Sequence, residues 1–295
     1  PGFPAPGFYV APAPFCYRCP YGYKGPEYCT VDGMRACVNE LWHQILSVGP
    51  HNVAAVITEL ISGGGLVVSP VEWVRELREL TRKNGIVLII DEVMTGFGRT
   101  GKWFCYQHYG ITPDIMTMGK GIVSSHLPAA GVVVNKEIGE FFEKYRWWHA
   151  NTYAAHPIAM AAVVENLKIM MDEDLPARSA RLGKYLGEGL KKLEKEHKCV
   201  GHVSGMGLFW GVELVRNKET KEPFFQEDRF TKGTGDVNRW AVNIVQQKAL
   251  ERGVLVSGFA PNCLRIGPAL SITKEEIDRG LEALDYAFNE LDKLC

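Results

Sequence analysis

The chain has 295 residues, a formal net charge of −1 and a composition that is 46% hydrophobic and 23% charged. These values are typical of a globular protein with one large domain or two ordinary ones. The net charge gives no electrostatic field that would favour binding to nucleic acid or to an anionic membrane. The apolar runs are too short to span a bilayer and no secretory signal is visible, so we expect a cytoplasmic protein that binds neither nucleic acid nor membrane.

Residues 1–30 are rich in Pro, Gly, Tyr and Cys, which predicts an irregular covering segment. Four of the eight cysteines cluster near the start, and Cys16 and Cys19 have the CxxC spacing of metal and redox sites. Cys29 and Cys37 do not repeat that spacing, and no histidine pair follows closely. We therefore expect reduced structural thiols here and no metal site.

The next stretch predicts a helix followed by a strand. Apolar residues at helical spacing predict a helix over residues 39–48. Residues 53–61 predict a buried strand with Glu59 near its carboxyl end. Ser69 as the N-cap and Pro70 at the first helical position predict the start of a second helix.

A run of apolar residues over 86–90 predicts a second buried strand, and it is followed by Asp91 and Glu92. Strand, helix and strand form a βαβ unit, in which the two strands are parallel. The carboxyl ends of parallel strands meet at one edge of the sheet, where ligands of α/β proteins bind. We therefore expect an α/β fold in which Glu59 and Asp91 emerge side by side.

The residue pattern changes after a long Ala- and Met-rich helix, which is predicted to be largely buried. We expect a cofactor-binding domain over residues 1–165 and a smaller α+β domain over residues 166–295. The remaining predicted elements are strands over 114–118, 129–134, 205–215, 254–257 and 263–266, helices over 153–172, 178–197 and 237–252, a mobile loop over 217–235, and a last helix capped by Thr273 and Glu276.

Lys120 lies between Gly119 and Gly121, just after the predicted strand over 114–118. Most lysines are solvated surface residues, and that is the alternative here. Its neighbours are apolar, however, and a desolvated lysine has a lowered pKa that suits it to condense with an aldehyde. Asp91 either merely ends a strand or pairs with a pyridinium nitrogen. Together the two residues indicate a Schiff-base cofactor site.

Four stretches of the chain resemble the class III aminotransferases, which are pyridoxal-phosphate enzymes of fold type I. They are IIDEVMTGFGRTGKWF, PDIMTMGKG, HANTYAAHP and LRIGPAL, in the family's order and over nearly the whole chain. The resemblance implies a mostly parallel central sheet in a large domain, a smaller C-terminal domain, and a homodimer or dimer of dimers. It also implies pyridoxal 5'-phosphate as cofactor, a small-molecule amino donor and a keto-acid acceptor.

The same resemblance implies a role for each matching residue. Lys120 would form the Schiff base and move the proton at the substrate Cα, Asp91 would pair with the pyridine nitrogen, and Val93 would pack against one ring face. Thr152 would bind the phosphate of the other subunit's cofactor, with a plain helix N-cap as its alternative. Arg265 would clamp the substrate carboxylate, with an ordinary surface arginine as its alternative.

Two departures from the family pattern concern the substrate. Many members read EPxxGEGG where this chain reads ELISGGG, so Glu59 is kept on the substrate side but Gly64 replaces the second acid. That acid pairs with the clamp arginine in glutamate-using members, so we expect pyruvate rather than 2-oxoglutarate as the acceptor. Met94 replaces a common Gln, and both departures resemble the taurine–pyruvate branch.

His126 is expected either to line the substrate side or to be a surface histidine.

A third departure is the absence, before Val53, of the Gly/Ser phosphate loop and stacking aromatic ring that family members carry. We expect a truncated chain or a fragment whose cofactor cradle is incomplete. The prediction is pyridoxal-phosphate-dependent transamination from a taurine- or β-alanine-like ω-amino acid or amine to pyruvate. The alternatives are an aminomutase, a 2-oxoglutarate-dependent transaminase of the same family, and a catalytically silent fragment.

Overall fold

Two four-stranded sheets organise the chain in a computed structural model, which describes residues 4–25, 29–224 and 240–295. The strands are β1 (Thr30–Val31), β2 (Met34–Arg35), β3 (Ala55–Thr58), β4 (Val87–Asp91), β5 (Ile115–Met118), β6 (Gly131–Val134), β7 (Val200–Met206), β8 (Phe209–Leu214), β9 (Ser257–Ala260) and β10 (Cys263–Ile266). The helices are α1 (Ala36–Val48), α2 (Val71–Lys83), α3 (Lys136–Lys144), α4 (Pro157–Asp172), α5 (Leu175–Glu196), α6 (Ala241–Glu251) and α7 (Lys274–Leu291).

The first sheet has the strand order β3–β4–β5–β6. Strands β3, β4 and β5 are parallel, and β6 is antiparallel to β5. In β4, Leu88 and Ile90 are fully buried and belong to the same core cluster as Leu77 of α2, which connects β3 to β4. The structure therefore confirms the predicted βαβ unit and the α/β class of this half.

The predicted cap of α2 is wrong by one residue. Pro70, not Ser69, is the N-cap, and no side chain caps the helix. Ser69 is buried because its backbone completes the loop after β3: its N–H donates to Leu60 and its carbonyl accepts from Tyr109. The predicted capping box of α7 is confirmed, since Thr273 and Glu276 exchange two hydrogen bonds of 2.8 and 3.2 Å.

The second sheet is fully antiparallel, with the order β7–β8–β10–β9. The single strand predicted over 205–215 is wrong, because Gly207 adopts a φ of +57° and turns the chain between β7 and β8. The strand predicted over 254–257 lies later, at β9, whereas β10 matches its prediction. Helices α5, α6 and α7 bury their apolar sides against this sheet.

The long helix α4 starts at Pro157 rather than at residue 153, and it is less buried than predicted. Ile158 is 66% exposed and Val164 is 52% exposed, so one apolar side of α4 faces solvent in the isolated chain. Helix α3, which the sequence did not predict, adds further exposed aromatic residues just before it.

The N-terminal segment is irregular, as predicted, apart from a short 3-10 helix at Cys16–Arg18. It lies on the second sheet, where Arg18 pairs with Glu213 and donates to the carbonyl of Lys221 at 2.7 Å. The hairpin of β1 and β2 was not predicted. Of the mobile loop predicted over 217–235 and the helix predicted over 237–252, residues 225–239 lie outside the described residues.

Candidate active site

Three charged side chains meet at the carboxyl ends of the parallel strands. Glu59 follows β3, Asp91 ends β4, and Lys120 follows β5. Burial raises the pKa of Glu59, and the nearby charge of Asp91 raises it further while Lys120 opposes both. The parallel register, in which Thr58 pairs with Ile90 and Asp91 pairs with Thr117, brings the three groups to the one sheet edge that the βαβ unit predicts.

The two carboxylates at the end of β4, Asp91 and Glu92, have different surroundings. Glu92 is fully buried and accepts hydrogen bonds from the Thr95 hydroxyl and from the backbone N–H groups of Cys105 and Tyr106, at 3.0 and 2.8 Å. Burial raises its pKa. Asp91 is only half-buried. Glu92 therefore fixes the loop, and Asp91 remains accessible.

One carboxylate oxygen of Asp91 accepts a hydrogen bond, and the residue beside Asp91 has a hydroxyl without a hydrogen-bond partner. Its Oδ1 accepts from the backbone N–H of Val93 at 2.9 Å, while its Oδ2 accepts no hydrogen bond from the described parts of the chain. Thr117 is its neighbour across the β4–β5 ladder, and the Thr117 hydroxyl is buried without a hydrogen-bond partner. A buried polar group of this kind calls for a partner, such as an ordered water or a ligand.

Lys120 is exposed and lines an open cleft together with His126. The desolvation expected from its apolar sequence neighbours is therefore wrong for the isolated chain, because the loop after β5 carries the side chain out toward the cleft. Lys120, Ser124 and Ser125 have φ values of +41°, +47° and +63°. Such left-handed residues are costly outside glycine and cluster at functional sites.

Val93 lies directly against the lysine loop. A Cβ added at Gly119 would be 3.4 Å from Val93 Cγ1, an ordinary van der Waals distance, so the backbone before Lys120 packs beside this side chain. Val93 is half-buried and adds an apolar wall beside the carboxylate of Asp91. The arrangement suits an aromatic ring that carries a basic nitrogen.

Arg265 reaches the same site from the second sheet. Its Nη1 donates to the carbonyl of Gly63 at 3.1 Å, and the N–H of Gly63 donates to Glu59 Oε2 at 3.1 Å. Arg265 is half-buried and forms no ion pair with any side chain of the described ranges. Its guanidinium therefore remains available for an anion.

Thr152 is the one predicted site residue that the described contacts do not join to the others. It is exposed, and the alternative of a helix N-cap is wrong because His156 precedes the first residue of α4. Thr152 lies among exposed aromatic residues, with Trp148 and Tyr153 82% and 78% exposed.

The four early cysteines come together in a way that their spacing did not predict. Cys16, Cys19, Cys29 and Cys37 line one apolar cavity of about 20 Å³. No disulfide joins them, and burial raises the pKa of Cys37 to about 11. Among the described residues no group of three His, Cys, Asp or Glu side chains is arranged to hold a metal ion.

A sequence profile of the family described as Aminotransferase class-III matches residues 5–288. The chain belongs to this family. The chain is 34% identical over 283 residues to a leucine/methionine racemase of Thermococcus litoralis, a match that covers 96% of the chain. It is also 34% identical over 303 residues to a taurine–pyruvate aminotransferase of Bilophila wadsworthia, with 98% of the chain covered.

The fold of this aminotransferase-family chain matches that of a solved S-selective transaminase from an Arthrobacter species, with a TM-score of 0.86, 44% identity and 93% of the chain covered. The chain is therefore an α/β protein of fold type I. It spans only 59% of the racemase, 62% of the taurine–pyruvate aminotransferase and 59% of the transaminase.

Class-III aminotransferases depend on pyridoxal phosphate, and three residues of this chain suit that cofactor. Asp91 offers an unengaged carboxylate oxygen, Val93 an apolar wall, and Lys120 an accessible amine. The buried and unpartnered hydroxyl of Thr117 beside Asp91 fits a site that is built for a ligand.

None of the described helices combines the length and the apolar character needed to cross a bilayer.

Proposed function

We propose that the chain is the larger part of a pyridoxal-phosphate-dependent aminotransferase that moves an amino group from an ω-amino acid or amine to pyruvate. The observation that carries this proposal is the meeting of Asp91, Lys120, Glu59 and Arg265 at one sheet edge. Carboxylate, amine and guanidinium are the groups that the reaction requires, and the family membership supports their use for transamination.

Each residue has a defined task in this proposal. When bound, pyridoxal phosphate supplies an electron sink for negative charge at the substrate Cα. The carboxylate of Asp91 holds a proton at the ring nitrogen, and Val93 packs on one ring face. Lys120 provides the amine that anchors the cofactor and then moves the proton at the substrate Cα. Arg265 binds the substrate carboxylate through paired hydrogen bonds.

The preference for pyruvate rests on the loop between Glu59 and Arg265. An enzyme that uses a dicarboxylic acceptor such as 2-oxoglutarate needs an acid that pairs with Arg265 whenever the bound substrate has no α-carboxylate. Position 64 has a glycine rather than an acid. Arg265 has a carbonyl partner in this loop, Gly63, but no ion-pair partner among the described side chains. The similarity to a taurine–pyruvate aminotransferase supports the same acceptor.

We further propose a homodimer in which the exposed apolar region around Thr152 meets its partner. Trp148, Tyr153 and Ile158 are each at least 66% exposed, and apolar regions of this kind mark interaction surfaces. This placement supports a role for Thr152 at the partner's cofactor phosphate. Sedimentation of the wild type against Trp148→Glu tests it, since a monomeric wild type would contradict the proposal.

The predicted division at residue 165 and a cytoplasmic location are also proposals. One buried cluster, from Leu186 to Leu291, lies wholly in the second half and supports the division, although Phe209 packs in the cluster of the first half and α4 runs through residue 165. The absence of disulfides among the eight cysteines supports a reducing compartment. Limited proteolysis and cell fractionation, respectively, test these two points.

A donor and acceptor screen tests the function directly. Taurine, β-alanine and simple amines are each supplied with pyruvate or 2-oxoglutarate, and alanine or glutamate formation is measured. We expect turnover with pyruvate, loss of that turnover in Lys120→Ala, and no loss in Lys136→Ala, whose side chain is 89% exposed. A clear preference for 2-oxoglutarate would contradict the proposal. Loss of the optical activity of L-leucine in a separate incubation without a keto acid would indicate a racemase, as in one similar protein.

A further inference from the structure

Phe259 occupies the space beside Gly64. A Cβ added at Gly64 would lie 2.7 Å from Phe259 Cδ1 and 2.9 Å from Cε1, closer than real carbon contacts allow. The neighbouring Gly65 has a φ of +77°, but the φ of Gly64 lies outside the left-handed region. The aromatic ring, and not the backbone conformation, therefore occupies the space that a side chain at position 64 would need, and the ring would have to move to admit one.

A β-bulge directs this ring. In the ladder between β9 and β10, Cys263 pairs with Ala260 and Leu264 pairs with Gly258, so Phe259 has no residue opposite it. Bulges of this kind re-aim a side chain and are frequent beside active sites. Phe259 is 55% exposed, so its ring lies over Gly64 without being held in the core.

The ring also contacts the clamp arginine. The guanidinium carbon of Arg265 lies 5.5 Å from the centroid of the Phe259 ring, within the range of a cation–π interaction. On its other side Arg265 donates to the carbonyl of Gly63. The guanidinium is thus held between an aromatic ring and the loop that follows Glu59.

We propose that Phe259 is a specificity-determining residue of the carboxylate subsite. Its ring fills the volume next to Gly64 and keeps Arg265 turned toward Gly63, so the subsite accepts short keto acids with one carboxylate. It excludes longer dicarboxylic keto acids such as 2-oxoglutarate. The inference deepens the proposed function and rests on it for the identity of the two acceptors.

Phe259→Ala tests the role in specificity. Removal of the ring opens the volume beside Arg265, so the ratio of kcat/KM for 2-oxoglutarate to that for pyruvate is expected to rise roughly 10-fold or more, the range seen when a pocket contact is lost. Leu255→Ala is the matched control, because Leu255 is an apolar residue near β9 that is 83% exposed. An unchanged ratio in Phe259→Ala would overturn the proposal.

A second measurement needs no turnover. Gly64→Ala is made in the wild type and in Phe259→Ala, and the urea midpoint of each protein is determined. The alanine is expected to lower the midpoint in the wild type and to have no such effect without the ring. Equal effects in both backgrounds would contradict the proposed packing, because the two sites would then be independent.

Ligand-detected NMR titration of pyruvate and 2-oxoglutarate separates this inference from the proposed function. If no variant consumes either keto acid, the proposed function fails, but the affinity ratio of the two acids still reports on Phe259. A ratio that shifts toward 2-oxoglutarate in Phe259→Ala supports the specificity role. An identical ratio in the wild type and the variant overturns it.

Discussion

The substitution Glu92→Gln tests whether one buried carboxylate holds the loop that carries the cofactor-site residue Val93. Glu92 accepts from the Thr95 hydroxyl and the Cys105 N–H through Oε2, and from the Tyr106 N–H through Oε1. Glutamine keeps only one acceptor oxygen, so its NH₂ group must face at least one of the two backbone N–H donors.

The cost follows from this count of donors. One buried N–H left without a partner costs roughly 1–3 kcal/mol, and the remaining bonds become weaker because their acceptor is no longer charged. The neutral amide of the variant avoids the desolvation of a charge, which offsets part of the loss. We therefore expect the free energy of unfolding to fall by about 2 kcal/mol for Glu92→Gln.

Urea unfolding followed by tryptophan fluorescence measures this difference. Glu79→Gln serves as the control, because Glu79 is exposed on α2 and its change is expected to stay within about 0.5 kcal/mol. Equal midpoints for Glu92→Gln and Glu79→Gln would refute the view that Glu92 fixes the loop.

Three further predictions concern stability. Gly183→Ala should lower the free energy of unfolding by about 3 kcal/mol, because its Cβ would lie 2.1 Å from the Gly207 carbonyl oxygen. Gly280→Ala, whose Cβ would have no atom within 4 Å, should be neutral or stabilising. Similar urea midpoints for the two variants would contradict this view. Thr273→Ala should lower stability by about 1 kcal/mol through loss of the capping box, and an unchanged melting temperature would argue against it. Burial lowers the pKa of His202 to about 4, so the unfolded chain binds more protons than the folded chain below about pH 6.5, and stability falls as the pH drops toward 4. His202→Phe should reduce this fall by roughly 2 kcal/mol. An unaltered pH profile of unfolding would count against that cause.

Local sequence patterns predicted the elements that hold the site. The apolar run before Asp91 and the capping signal at Thr273 are short-range signals, and the structure confirms both the β4 strand and the α7 start. Parallel pairing then placed Glu59 beside Asp91 without any structural information. These successes depend on periodicity and on the rule that parallel strands end at one sheet edge.

Features set by distant contacts were not predictable in the same way. The hydrogen bond from Arg265 to Gly63 joins residues 202 positions apart, and no local pattern encodes it. The exposure of Lys120 could not be derived from its apolar neighbours, because it depends on where the loop after β5 turns. Ser69 is not the cap of α2, and its backbone instead forms tertiary hydrogen bonds with Leu60 and Tyr109.

The most direct test of the account is the position of the covalent link to the cofactor. The purified chain is incubated with pyridoxal phosphate, reduced with borohydride, digested and mapped by mass spectrometry, with Lys136→Ala as a control for an exposed lysine. We predict a phosphopyridoxyl group on Lys120 and its loss in Lys120→Ala. Labelling spread over surface lysines, or persisting unchanged in Lys120→Ala, would contradict the proposal that Asp91, Val93 and Lys120 form the cofactor site.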